Sequence, residues 1–69
     1  MSILGDRMRV ARKKKGFTQD NVAKLLKTTY QTISNYERGI RDPDTDTLNK
    51  FAYICGVSLD WLLGLPNCP

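Results

Sequence analysis

The segment from Thr18 to Gly39 constrains the fold of this chain most, because it encodes two helices that are each too short to be stable in isolation. Its sequence is TQDNVAKLLKTTYQTISNYERG. Apolar spacing and capping residues predict one helix over 19–26 and a second over 30–38, separated by the turn Lys27-Thr28-Thr29. Helices of two or three turns are not stable in isolation, so they must pack on each other and on their neighbours. A turn this short makes the helices cross and leaves the first turn of the second helix projecting.

The rest of the chain predicts three further helices, over 3–15, from Asp44 to Cys55, and over 59–63. Four of the five glycines fall directly after a predicted helix, and no segment alternates like a strand. The predicted fold is therefore all-α, a compact five-helix bundle over residues 1–65, with 66–69 as a tail or the start of a linker. The predicted inner stripes of the helices contain Leu4, Met8, Ala11, Lys15, Val22, Ala23, Leu26, Ile33, Tyr36, Leu48, Phe51, Ala52, Cys55, Leu59 and Leu62.

Composition argues against catalysis. The 69 residues contain no histidine, which removes the most usual general base and the commonest metal ligand. Asp42, Asp44 and Asp46 suggest a metal site at first sight, but acids at the start of a helix are better explained by capping and the helix dipole. Two cysteines, Cys55 and Cys68, are too few for a disulfide framework and lack zinc spacing, which favours a reducing, cytoplasmic compartment. We expect no catalytic residue, metal, cofactor or small-molecule ligand.

Charge is divided unevenly along the chain. Residues 1–41 contain ten Lys or Arg and three acids, whereas residues 42–69 contain one lysine and four aspartates. A positive half opposite a negative half suits a protein that presents one face to a polyanion. A lopsided solvated surface is the plain alternative. No apolar run approaches the roughly 20 residues of a membrane span, and no signal peptide is visible.

A family pattern extends over nearly the whole chain, from about Leu4 to Gly64. The residues that carry it are Met8, Ala11, Arg12, Gly16-Phe17-Thr18-Gln19, Val22-Ala23, Leu26, Thr29, Thr32-Ile33-Ser34, Glu37-Arg38-Gly39, Pro43-Asp44, Thr47-Leu48, Phe51-Ala52 and Gly56-Val57-Ser58-Leu59-Asp60. In these residues the chain resembles the helix-turn-helix domain of the lambdoid phage repressor and Cro family of bacterial and phage regulators. It departs from the family at Lys27, where glycine is usual, and at Thr28 and Thr45, where apolar residues are common. A left-handed lysine costs about 1–2 kcal/mol, so the turn is expected to be strained or differently built.

The resemblance implies roles in binding double-stranded DNA, with the second short helix in the major groove. Gln31 should be the main base reader, because an amide pairs with both N6 and N7 of adenine. The other implied groove-facing residues are Thr29, Tyr30, Ser34 and Asn35; Ser34 and Asn35 are also consistent with plain helix surface. The implied phosphate contacts are Thr18, Gln19, Arg38 and Arg41, and Arg12 is placed to contact a phosphate as well. Lys27 is a further predicted phosphate contact because it lies in the turn, close to the DNA backbone. Arg12 and Glu37 should also form a structural ion pair between the first and third helices.

A single recognition helix reads too few base pairs for a genome, so a homodimer on a pseudo-palindromic operator is expected. The predicted interface is the apolar C-terminal end, Val57, Trp61, Leu63 and Leu65, with Trp61 equally suited to the core. The implied function is transcriptional regulation, as a repressor that occludes a promoter. The implied location is the bacterial nucleoid, or the cytoplasm of the host cell if a phage encodes the protein.

Three other classes of protein compete with this interpretation. The first is an antitoxin-type module that binds a protein partner and also its own promoter, although the short tail offers little for a partner to hold. A regulator of a restriction–modification system would still be a transcription factor. An enzyme lacks a nucleophile–base pair here, and a membrane-active peptide would need a broader apolar face than the first helix offers.

Overall fold

The computed structural model describes residues 2–65, and over that range the chain forms five helices and no strand. Each boundary lies within one residue of the predicted one, which confirms the predicted all-α five-helix fold. None of the described helices is long and apolar enough to cross a membrane. The predicted tail and Cys68 lie outside the described residues. The helices are α1 (Ile3–Lys15), α2 (Gln19–Leu25), α3 (Tyr30–Glu37), α4 (Thr45–Cys55) and α5 (Leu59–Leu62).

Every helix begins with a side-chain oxygen that accepts the backbone N–H three residues later. These N-caps are Ser2, Thr18, Thr29, Asp44 and Ser58. Hydrogen bonds from the hydroxyl and then from the backbone N–H of Thr47 lower the pKa of Asp44. Asp44 is therefore occupied as a helix cap. In residues 2–65 no group of three or more Asp, Glu or Cys side chains could hold a metal ion.

Every helix also ends in one kind of turn, in which a left-handed residue follows the last helical turn. Glycine occupies this position in four of the helices, and Lys27, with φ 58°, occupies it after α2. The N–H of Thr28 donates to the carbonyl of Ala23 at 2.8 Å, and that of Lys27 to the carbonyl of Lys24 at 3.3 Å. This is the hydrogen-bond pattern of a Schellman cap, whose left-handed residue is usually glycine. Lys27 therefore adopts a conformation that is usual for glycine, and the turn carries backbone strain.

We expect Lys27→Gly to raise the free energy of unfolding by about 1 kcal/mol, because glycine adopts this conformation without crowding the following carbonyl. The gain is reduced by the greater freedom of glycine in the unfolded chain. In a domain of this size the change corresponds to a melting temperature about 4–8 °C higher, measured by circular dichroism. Lys24→Gly, inside the last turn of α2, is the matched control and should lower the melting temperature. An unchanged or lower value for Lys27→Gly would contradict the strain.

The core lies where the five helices meet, and each helix contributes one large apolar side chain that is fully buried. These are Met8, Val22, Ile33, Phe51 and Leu62. The other predicted core positions are buried or, at Leu4, Leu26 and Leu59, half-buried against the core. Lys15 was expected to lay its methylenes along the end of this stripe with its ammonium hydrated. The residue is exposed, because α1 turns Gly5 and Arg12 towards the bundle instead.

Cys55 lies in this core, on the inner face of α4. Burial raises the pKa of its thiol, which favours the neutral form. The predicted role of Cys55 as a small buried hydrophobe agrees with this environment.

Candidate nucleic-acid interface

The predicted base readers of α3 are all accessible at its surface. The inner side of the helix carries Ile33, Tyr36 and Glu37, which are all buried. By the 3.6-residue period, Gln31, Ser34 and Asn35 lie away from this buried side, whereas Thr29 and Tyr30 are accessible because they stand at the start of the helix. Thr29, Tyr30 and Gln31 are exposed, and Ser34 and Asn35 are half-buried. We call these five accessible residues the α3 face.

Three hydrogen bonds order side chains on or beside the α3 face. The amide Nε2 of Gln31 donates to Oδ1 of Asn35 at 3.3 Å. The hydroxyls of Thr29 and Thr32 lie 3.1 Å apart, and Thr29 also accepts the Thr32 backbone N–H. Tyr30, at the first position of α3, is 58% exposed. Thr32 thus supports the cap, whereas Gln31 is held against Asn35 and Tyr30 is exposed at the start of the helix.

A buried ion pair fixes the other side of α3 to α1. Arg12 Nε donates to Glu37 Oε2 at 2.6 Å, and Arg12 Nη2 donates to Glu37 Oε1 at 3.1 Å. The Glu37 side chain is fully buried, and that of Arg12 is 10% exposed. Arg12 Nη1 also donates to the backbone carbonyl of Phe17 at 2.9 Å. The guanidinium therefore joins α1, the loop before α2 and the end of α3.

Two further donors reach the same carboxylate. Gln19 Nε2 lies 3.2 Å from Glu37 Oε1, and Arg9 Nε lies 3.5 Å from it. Sequence reasoning paired Glu37 with Arg12 but missed both of these contacts. Gln19 and Arg12, which were predicted to bind phosphate, both direct N–H groups to Glu37 in this structure. The network links the first turn of α2 to α1 and α3 and so fixes the angle between the two helices of the motif.

The other predicted phosphate-binding residues lie on the surface. Thr18 and Asn21 form a reciprocal capping box at the start of α2. Lys27 lies before α3, and Arg38 and Arg41 follow it; all three are exposed. Within residues 2–65, no carboxylate lies within 4 Å of these three cationic groups. In the chain, the α3 face therefore has on both sides a cationic side chain that forms no ion pair with a described carboxylate.

Gly5 allows the start of α1 to pack closely against the end of α3, a role that sequence reasoning missed. An ideal Cβ atom at Gly5 would lie 2.6 Å from the carbonyl oxygen of Glu37 and 2.7 Å from that of Tyr36. The start of α1 thus contacts the backbone at the end of α3 directly. The available signal was a glycine inside a helical pattern, on the same stripe as Met8 and Arg12.

The predicted dimer surface divides into two parts. Val57 and Trp61 are half-buried, pack against the core and line an open groove with Ala11, Lys14 and Ser58. The guanidinium of Arg7 lies 5.0 Å from the Trp61 ring centroid, and its Nη1 donates to the Trp61 carbonyl at 2.6 Å.

The second part of this surface is exposed. Leu63 and Leu65 are 41% and 51% exposed, and Ile3, at 60%, lies beside Gly64. We call Ile3, Leu63 and Leu65 the apolar edge. Ile3 is a member that sequence reasoning did not include, because it lies at the opposite end of the chain.

Comparison with known proteins adds a family and several relatives. Residues 8–62 match the model of a helix-turn-helix family. The HTH-type transcriptional regulator ImmR of Bacillus subtilis (strain 168) is 51% identical over 61 residues, which cover 88% of this chain and 48% of that protein. The chain spans about half the length of the first curated relatives it matches.

Two solved structures have the same fold and are bound to DNA. The P22 c2 repressor in complex with a synthetic operator has a TM-score of 0.83 and 28% identity, covering 91% of this chain and 96% of that one. SinR, the master regulator for biofilm formation, in complex with DNA has a TM-score of 0.79 and 28% identity, covering 87% of this chain and 97% of that one. Both likenesses extend over all or nearly all of the solved chains.

Proposed function

The chain belongs to the helix-turn-helix family, and from this premise we propose that it binds specific double-stranded DNA sequences and regulates transcription. The family consists of non-enzymatic regulators, in agreement with the expectation that this domain is not an enzyme. The observation that carries the proposal is the α3 face, five accessible polar side chains on one short helix and its N-cap, flanked in the chain by the exposed residues Lys27, Arg38 and Arg41. Relatives whose structures contain DNA support it.

In this proposal α3 enters the major groove and its first turn meets the base edges. Gln31 is the main reader, because an amide offers both a donor and an acceptor to adenine. Tyr30 offers an aromatic ring to thymine methyl groups or a hydroxyl to the backbone. Thr29, Ser34 and Asn35 complete the surface that faces the groove.

The proposed phosphate contacts fix the position of α3 without reading sequence. Lys27, Arg38 and Arg41 supply charge at the two ends of the helix. Thr18 and Gln19 offer polar groups at the first turn of α2, where the helix dipole also favours an anion. Arg12 and Gln19 contribute less than the free cations, because their N–H groups already donate to Glu37.

We further propose that two copies bind a pseudo-palindromic operator, with half-sites about one helical turn apart. The apolar edge forms the centre of the contact between them, and Val57 and Trp61 lie beside it. Occupation of such an operator by a dimer would occlude a promoter and repress transcription. The proposed location is the compartment that contains this DNA, the bacterial cytoplasm.

Selection from a randomised duplex library tests the function without a known operator. We expect the wild-type protein to enrich one two-fold symmetric motif and to bind it at least ~10³-fold more tightly than a scrambled duplex, as measured by fluorescence anisotropy. Gln31→Ala should weaken binding to the selected motif by about 5–150-fold, the value of one bidentate base contact, and leave binding to the scrambled duplex unchanged.

Arg38→Ala is the matched control for the Gln31 variant. It removes a cation beside the same helix, so it should weaken binding to every duplex alike and reduce the dependence of affinity on salt. Equal wild-type affinity for all duplexes at all salt concentrations would contradict sequence-specific binding.

A further inference from the structure

We propose that Asn35 is a positioning residue, which holds the Gln31 amide so that it selects adenine and rejects guanine. The inference rests on the proposed function, since it concerns the base pair that Gln31 meets. The hydrogen bond from Gln31 Nε2 to Asn35 Oδ1, at 3.3 Å on the α3 face, is the observation that carries it. The two residues are four apart in one helix and are therefore neighbours on its surface.

Asn35 is the better anchored member of the pair. It is half-buried, and its backbone carbonyl accepts N–H groups from Ile40 at 3.0 Å and from Arg41 at 3.3 Å. These two bonds tie Asn35 to the loop that follows α3. Gln31 is exposed in the first turn of the helix, so its long side chain has more freedom. The asymmetry makes Asn35 the fixed acceptor and Gln31 the group that it orients.

Hydrogen-bond chemistry then determines which base fits. A glutamine amide has two N–H donors and one carbonyl acceptor. With one N–H donated to Asn35, Gln31 presents one donor and one acceptor to the groove. Adenine presents N7, an acceptor, and the N6 amino group, a donor, and so matches both. Guanine presents N7 and O6, which are both acceptors, so the Gln31 carbonyl would oppose one of them.

Removal of Asn35 changes this match. The second N–H of Gln31 is released and the amide turns freely, so two donors become available to guanine. Asn35→Ala should therefore relax the preference for adenine over guanine at the base pair read by Gln31. Asn35→Asp keeps an acceptor at this position and should keep the preference, with weaker overall binding because its carboxylate repels phosphates.

The library selection described above tests the proposal when repeated with Gln31→Ala, Asn35→Ala, Asn35→Asp and Asn49→Ala. The base pair whose preference disappears in Gln31→Ala is the pair that Gln31 reads. At that pair we expect Asn35→Ala to raise the guanine-to-adenine ratio about fivefold or more, the lower end of one bidentate contact. Asn35→Asp and the control Asn49→Ala, at an exposed position of α4 outside the proposed interface, should leave this ratio unchanged. Thermal melts show that each variant is folded.

Three results would overturn the inference. In the first, Asn35→Ala leaves the ratio unchanged. In the second, it alters a base pair that Gln31→Ala does not, which would make Asn35 a base reader. In the third, Asn35→Asp raises the guanine-to-adenine ratio as Asn35→Ala does. A wild-type protein that enriches no motif would instead refute the proposed function and the inference with it, so the two failures are distinguished by the wild-type selection alone.

Discussion

Arg12→Ala is expected to unfold a large part of the protein at room temperature. The substitution leaves the Glu37 carboxylate, 2% exposed, without the two N–H groups of its bidentate partner. Breaking a buried pair on one side costs about 3–5 kcal/mol, because the remaining charge stays desolvated. A single core of this size supplies only about 3–5 kcal/mol in total. The loss is therefore comparable with the whole stability of the domain.

Urea titration followed by circular dichroism measures this effect as a change in the free energy of unfolding. Arg9→Ala is the matched control, since Arg9 contacts the same carboxylate from 3.5 Å with a side chain that is 42% exposed. A contact of that kind contributes about 1 kcal/mol or less. If Arg12→Ala fell within 1 kcal/mol of the wild type, the structural role of the pair would be refuted.

A double variant separates the cost of a stranded charge from the net value of the pair. Arg12→Met with Glu37→Met replaces both partners by apolar side chains, a change that is often neutral or stabilising at buried pairs. We expect it to recover most of the stability that Arg12→Ala loses. Weak DNA binding by the stable double variant would then show that the pair serves to hold α3 at its angle to α1 and α2.

Most of the fold could be predicted because its signals are local. Asp44 and Gly56 show why: one caps the start of α4 through the Thr47 N–H, and the other ends the helix in a left-handed conformation. Both preferences depend on a few neighbouring residues. The core followed from the 3.6-residue period, which places Leu48, Phe51 and Cys55 on one side of α4.

The errors and omissions concern how one helix meets another. Lys15 was expected on the inner stripe of α1, but the rotation of α1 against α3 is set by the close approach at Gly5 and by the Arg12 ion pair. The contact of Gln19 with Glu37 was missed because it depends on the fold as a whole, whereas its predicted contact with phosphate rests on its place at the start of α2 and stays a prediction. The base that each residue of the α3 face meets depends on how the helix docks in the groove, a geometry that involves DNA as well as this chain.

Gly5→Ala is the second substitution for which we expect a large effect. Whether it raises or lowers the free energy of unfolding shows which is stronger, helix propensity or packing. Helix propensity alone predicts a gain of about 1 kcal/mol, because Gly5 lies inside α1. Packing predicts the reverse, since the added methyl group would lie 2.6 and 2.7 Å from two backbone carbonyl oxygens of α3. Backbone cannot rotate away as a side chain does, and overpacking of a tight site costs about 1–3 kcal/mol.

We expect the packing penalty to exceed the gain in helix propensity. The free energy of unfolding should fall by about 1–2 kcal/mol and the melting temperature by about 4–16 °C. Lys13→Ala, at an exposed position of the same helix, reports the effect of helix propensity without the contact and should be nearly neutral or slightly stabilising. Because the carbonyls that the methyl group meets belong to Tyr36 and Glu37, relief of the clash must shift the end of α3 relative to α1. Gly5→Ala should therefore weaken binding to the selected motif while Lys13→Ala reduces it only through lost charge. A stabilised Gly5→Ala variant would mean that α1 and α3 separate easily, and that the orientation of α3 depends on the Arg12–Glu37 network alone.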